Sequence, residues 1–288
     1  MIFFRILDNV IYNAGEVEKL GFEESSGLRI PDEYLKTQEF TILRTAMGIG
    51  DWGIISSMPR LLKEKYPNCK VYLPSKKLLK KLFENSGTTM EAVFKNNPYV
   101  DDFKDYISGE VFHDHYRIYD EENTDIPLVE QMLKFWQFTE DEMKDSQPEI
   151  YWTDEEKYYG DAIIKEYVGS QEFGSLLVSD RFGTQKGEYD EETYKNETGK
   201  IQAFMAAQRQ PVFYYTYKPL NQLPFEIDTA LDMRHIDLRI QLYIKSRAKF
   251  NISNQCGTNQ LVARYSDTYE VQRQFPIGHN FVKGETYL

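Results

Sequence analysis

The sequence predicts an α/β fold of two Rossmann-like domains, each a parallel sheet flanked by helices. Three observations predict it. Short β-prone runs alternate with helical patterns. The alternation pauses near residue 150 and restarts near 175, giving two blocks. A glycine-bearing turn leads from strand to helix in each block, as strand–helix–strand units require. A length of 288 residues suits two domains. The expected domains are 1–152, which includes an N-terminal arm, and 153–288.

Taken in order, residues 1–40 fall outside the alternation. Residues 3–12 look strand-like around Asp8 and Asn9, and 16–32 are polar with glycine and proline punctuation. Residues 40–44 are a first strand. Gly48, Gly50 and Gly53 suggest a tight turn, and the apolar spacing of Ile54, Ile55, Met58, Leu61 and Leu62 predicts a helix over 54–66. A strand at 70–73 completes a βαβ unit, whose strands are parallel. A helix at 76–85, a turn into a short strand at 97–103, a strand within 110–119 and a helix over 128–138 follow. Residues 146–152 read as an extended connection. Thr153 is a good N-cap with Glu155 and Glu156 in the first turn, and Gly169 follows the expected end at Tyr167. The second block holds strands at 175–179, 211–216 and 248–252. Its helices lie within 191–208 and at 238–246 and 259–265, the last after a turn at 254–258.

Composition excludes several classes. A net charge of −12 argues against non-specific binding to nucleic acid or anionic membranes. No run approaches the roughly 20 apolar residues of a membrane span, and the opening residues lack the pattern of a signal peptide, so a cytoplasmic location is expected. Cys69 and Cys256 have no metal-ligand spacing and read as two reduced thiols. His113, Asp114 and His115 put both histidines on one face of a strand with no third ligand in view, so no metal site is expected. The oligomeric state is not encoded in any pattern.

Three constellations carry candidate chemistry. In the turn 47–53, glycines let backbone approach a ligand at the carboxyl end of a strand, where open α/β sheets bind ligands. Asp51 there is either a general base facing an acceptor hydroxyl or a helix cap. In the turn 254–260, Gly257 opens a helix, and the N–H groups of Thr258 and Asn259 can hold a diphosphate; the alternative is an ordinary capped strand–helix turn. In the loop 180–187, Arg181 offers a planar fork and Lys186 a mobile charge for phosphate; the alternative is a solvated loop.

These segments together resemble glycosyltransferase family 9, the group that includes ADP-heptose:lipopolysaccharide heptosyltransferases. Residues 42–51 (Ile-Leu-Arg-Thr-Ala-Met-Gly-Ile-Gly-Asp) and 58–67 resemble its opening strand, Gly-Asp turn and helix ending in Tyr-Pro. Residues 97–101 (Asn-Pro-Tyr-Val-Asp), 128–164 and 238–263 are similar to its Pro-x-Val-Asp turn, its interdomain segment and its donor-domain helix, strand and turn. The resemblance implies a GT-B enzyme, with two domains facing across a cleft. Such an enzyme would move a sugar, with inversion and without bound metal or cofactor, from a nucleoside-diphosphate sugar to a glycan or other hydroxyl acceptor. It assigns Asp51 as base, within an acceptor-side turn that includes Arg44, Gly48 and Gly50. On the donor side it matches Lys186 and Gly257 to phosphate-binding positions. The sequence departs from the family at Cys256, where it has serine, at Gln260, where it has histidine, and at Gln255, where an acid is frequent. Gln260 can donate a hydrogen bond but carries no charge. These departures keep open a non-catalytic binding or assembly protein with a decayed transferase fold. A different nucleotide-sugar enzyme such as an epimerase also stays open.

Overall fold

The computed structural model describes residues 39–44, 48–83, 88–113, 126–135, 138–179, 191–216, 220–227, 229–254, 256–271 and 282–288. The chain divides into two compact units, 1–119 with 130–146, and 120–129 with 147–288. Each is an α/β unit around a wholly parallel sheet, so the predicted fold class is what the structure has. Nearly all of the N-terminal arm lies outside the described residues.

Unit 1 contains β1 (Glu39–Leu43), α1 (Ile49–Ile54), α2 (Met58–Lys65), β2 (Lys70–Pro74), α3 (Lys76–Phe83), α4 (Thr88–Phe94), β3 (Asp102–Lys104) and β4 (Glu110–His113). Its strand order is β3-β2-β1-β4. Phe40 pairs with Val71 on one side and Glu110 on the other. β1 and β2 are buried almost end to end, which explains their continuous apolar character. In α3, Leu78 and Leu79 are buried while Lys77, Lys80 and Lys81 are exposed. Trp52 of α1 is fully buried, edge-on to Phe94 of α4 with ring centroids 6.2 Å apart.

Three expectations fail here. The glycine turn at 48–53 is shorter than predicted: α1 already begins at Ile49, so Gly50 and Gly53 are helical and Gly48 alone stands in the turn. The helix expected over 54–66 is instead split between α1 and α2. Pro59 lacks an N–H, and its ring would collide with the Ile55 carbonyl in a continuous helix. The chain turns through 55–57 and restarts with proline in the first turn of α2, where it is tolerated. The helix α5 (Leu128–Phe135) ends before Phe138, whose N–H bonds back to the Leu133 carbonyl.

Unit 2 contains α6 (Asp154–Tyr167), β5 (Gly174–Leu177), α7 (Glu191–Ala206), β6 (Val212–Tyr214), β7 (Ala230–Asp232), α8 (Leu238–Arg247), β8 (Phe250–Ser253), α9 (Gly257–Val262), β9 (Asp267–Glu270) and β10 (Glu285–Tyr287). The strand order is β10-β9-β8-β5-β6-β7. One sheet face packs Leu176, Val212, Tyr214, Phe250 and Ile252 against Ile201 and Phe204 of α7. The other packs Phe213 and Leu231 against Ile163 and Ile164 of α6 and Ile240 and Ile244 of α8.

The predicted start of α6 is present in full. Thr153 Oγ1 accepts the Glu156 N–H at 3.1 Å, and Glu156 Oε2 accepts the Thr153 N–H at 2.9 Å. After the helix, Gly169 takes φ +63°, the left-handed conformation that glycine supplies cheaply. Glu156 also receives Arg239 Nε at 2.7 Å and Nη2 at 3.0 Å, a buried bidentate pair tying α6 to α8.

Candidate functional site

Strand order fixes where each unit can bind a ligand. In unit 1 the chain runs from β1 outward through β2 and β3, then returns to place β4 on the other side of β1. In unit 2 it runs from β5 outward through β6 and β7, then returns to place β8 on the other side of β5. The switch points therefore lie between β1 and β4 and between β5 and β8, and ligands of open α/β sheets bind at the carboxyl ends of such strand pairs. The predicted turns at 47–53 and 254–260 follow β1 and β8, so each sits at its unit's switch point.

In unit 1 the structure brings Arg44, Gly48 and Asp51 together. Arg44 is 1% exposed, and its guanidinium donates to the backbone carbonyl of Asp51. Asp51 folds back over the start of α1, where its Oδ2 accepts the Gly48 N–H at 2.7 Å. A Cβ at position 48 would lie 2.8 Å from that same oxygen, so glycine leaves room for the carboxylate to cap the helix. The capping alternative for Asp51 thus describes its resting contact. The side chain stays half-exposed. Gly50 is the second residue of α1.

In unit 2, Gly257, Thr258, Asn259 and Gln260 form the first turn of α9, two residues earlier than expected. The Asn259 N–H, expected to face a diphosphate, instead donates to the Cys256 carbonyl at 3.0 Å, as does the Gln260 N–H at 3.3 Å. The side chains of Asn259 and Gln260 are buried. Thr258 Oγ1 lies 3.1 Å from Cys256 Sγ. Arg181 and Lys186 lie outside the described residues, as do Asp114, His115 and Gln255. Cys69 and Cys256 are both free. Among the described residues, no three His, Cys, Asp or Glu side chains are grouped to hold a metal ion.

Two groups shape this second candidate site: Asn254, which the sequence placed in the turn without a role, and one that it did not single out. Asn254 is fully buried and stitches β8 to β5 beyond their ladder. Its Nδ2 donates to the Ser179 carbonyl at 2.5 Å and to Glu197 Oε2 of α7 at 2.8 Å, and its Oδ1 accepts the Ser179 N–H at 2.8 Å. The other group is a polar layer beneath α8 and α9. Strand register puts Ser175, Asn251, Thr268 and Glu285 on one sheet face with Ser253 and Glu270. Lys245 of α8 reaches into this layer and donates to Ser175 Oγ at 2.9 Å. Burial pushes its pKa down to about 8, against the favourable pull of Cys256 and Glu270. Burial and the neighbouring Glu285 carboxylate push Glu270 well above the ordinary carboxylate range, although it accepts Ser253 Oγ at 2.5 Å. The signal for Lys245 was present: Leu238, Leu242 and residue 245 share one helical face, so a lysine interrupts an apolar stripe.

The fold is shared with glycosyltransferases of the GT-B class. A family 9 glycosyl transferase from Veillonella parvula DSM 2008 superposes with a TM-score of 0.58 at 8% identity, covering 88% of this chain and 87% of that one. The E. coli ADP-heptose LPS heptosyltransferase II does so with a TM-score of 0.50 at 11% identity, covering 87% and 90%. At such identities the likeness is one of fold. No family model matches the sequence, and no curated protein matches it.

Proposed function

We propose that this protein is a nucleotide-sugar-dependent glycosyltransferase acting on a glycan or other hydroxyl acceptor. The observation that carries the reading is that both candidate turns follow a strand at the switch point of a parallel sheet, in a fold shared with glycosyltransferases. In the mechanism, the Asp51 carboxylate takes the proton of the acceptor hydroxyl as that oxygen attacks the anomeric carbon of the donor. The bond to the diphosphate breaks on the opposite face, with inversion. Arg181, Lys186 and the turn at Gly257 and Thr258 stabilise the charge that builds on the departing diphosphate, where fixed donors act most strongly. No metal ion or bound cofactor enters this scheme, and the nucleoside-diphosphate sugar is a substrate.

A second reading has specific support. The Asn259 N–H is taken up by Cys256, and the Gln260 side chain is buried, which favours a non-catalytic binding protein that keeps the fold. A thermal-shift screen against ADP, GDP, UDP, CDP and dTDP separates the two. ADP comes first because one structural neighbour is, by name, an ADP-heptose enzyme. A ligand at 100 times its dissociation constant adds about 2.7 kcal/mol to stability, enough for a shift of several degrees. The expected result is a clear shift with one diphosphate. A flat response to all five moves the assignment to the non-catalytic reading.

A further inference from the structure

Unit 1 carries a helix face whose charges folding does not need. Half of α3 is lysine and none of it is acidic. Leu78 and Leu79 are buried, while Lys76, Lys77, Lys80 and Lys81 are all exposed. Lys76 with Lys80, and Lys77 with Lys81, are like charges four residues apart, an arrangement that weakens a helix. The helix dipole favours cations at Lys80 and Lys81 but disfavours them in the first turn, at Lys76 and Lys77. Acids from other elements answer only that first pair. Lys76 Nζ lies 2.5 Å from Glu91 Oε2 of α4, and Lys77 Nζ lies 2.7 Å from Asp105 Oδ2 after β3. Lys80 and Lys81 make no ion pair or hydrogen bond among the described residues. Beside Asp105, at the rim of this face, Tyr106 is 51% exposed.

We propose that the lysine face of α3, with Tyr106 at its rim, docks this protein on an anionic lipid surface. The net charge of −12 opposes such a surface elsewhere on the molecule, so docking has one orientation, with α3 toward the lipid. Two features favour lipid over other polyanions. The cations are all lysines, point charges suited to a diffuse field of headgroups, whereas paired recognition of a phosphate or a base edge uses the planar fork of arginine. Tyrosine is enriched at the level of lipid headgroups, where one end of the side chain meets apolar surroundings and the other stays wet. The leucine face of α3 is already taken up by the core, so the attraction is one of charge, as for polybasic segments at a membrane surface. Docking of this kind is independent of any activity at the two candidate turns.

The test is co-sedimentation of the full chain with vesicles of phosphatidylcholine alone, or of phosphatidylcholine mixed with phosphatidylglycerol. It is run at about 0.05 M and about 0.5 M salt, where screening lengths differ about threefold. The wild type is expected to pellet with the mixed vesicles at low salt, and to stay in solution at high salt or with phosphatidylcholine alone. Lys80→Gln combined with Lys81→Gln is expected to weaken binding roughly thirtyfold, since each lysine near an anionic surface contributes roughly a factor of five. Tyr106→Ser is expected to weaken binding without changing its dependence on salt. Lys157→Gln combined with Lys165→Gln, two exposed lysines of α6 in unit 2, is expected to bind as the wild type does. A wild type that ignores the mixed vesicles at low salt overturns the proposal without any variant. Undiminished binding by the variant lacking Lys80 and Lys81 overturns it as well, as does an equal loss in the α6 variant. Retention of the wild type on heparin without binding to mixed vesicles assigns the face to another polyanion and overturns the lipid docking.

Discussion

Asp51 already has a contact in the resting protein, since its Oδ2 caps α1 through the Gly48 N–H. Asparagine at 51 keeps an oxygen able to accept that N–H but cannot accept a proton. Asp51→Asn should therefore cost at most about 1 kcal/mol of stability, while turnover falls roughly 10²-fold or more and the nucleotide-induced shift stays intact. Full turnover in this variant would remove Asp51 from the chemistry. The turn itself was legible, because glycine and an acid between a strand and a helix announce a cap or a site. What Arg44 does was not. Its guanidinium meets the Asp51 carbonyl only after α1 folds back over the strand end. Lys245 was half legible: helical spacing places it on a buried face, but its hydrogen-bond partner Ser175 comes from a strand distant in sequence.

The contact between α6 and α8 carries a prediction about elements. A Cβ on Gly160 would lie 2.2 Å from Cδ1 of Tyr243. That ring is held in place, with its hydroxyl donating to Asp161 at 2.9 Å and its edge against Trp152 at 5.6 Å between centroids. Gly→Ala in a helix ordinarily gains about 1 kcal/mol, but forced overpacking costs about 1–3 kcal/mol. Gly160→Ala is expected to be net destabilising, seen as a lower urea midpoint with an unchanged slope; a higher midpoint would refute the close packing. Among the elements, the long and strongly patterned ones were readable. The helix over 154–167 announced itself by an N-cap threonine with acids in the first turn at one end and glycine at the other. The strands β7, β9 and β10 were missed, being three or four residues each, with acids among them. α4, only seven residues long, was also missed. The break between α1 and α2 was misread because apolar spacing continues across it while Pro59 forbids a continuous helix.

At the scale of the molecule, the two-block alternation of strands and helices was enough to predict two parallel-sheet units, since such connections leave few topologies. It could not give the strand orders, which depend on pairings between distant segments. Each unit has its own sheet and its own core, so heat is expected to unfold the chain in two steps, not one. Scanning calorimetry should show a total enthalpy above the van't Hoff value. A bound nucleoside diphosphate should raise only the transition belonging to unit 2. A single two-state transition would contradict this.

The strand orders also have a consequence in time. Phe40 must find Glu110 to close β1 on β4, but only Val71 to close it on β2. Gly174 must find Phe250 to close β5 on β8, but only Val212 to close it on β6. Longer loops cost more entropy to close, and distant pairings form slowly. In both sheets the long-range pair is the one that flanks the switch point. A nascent or refolding chain is expected to hold its outer βαβ pairs first, so the strand pairs that flank the two candidate turns are among the last to be built.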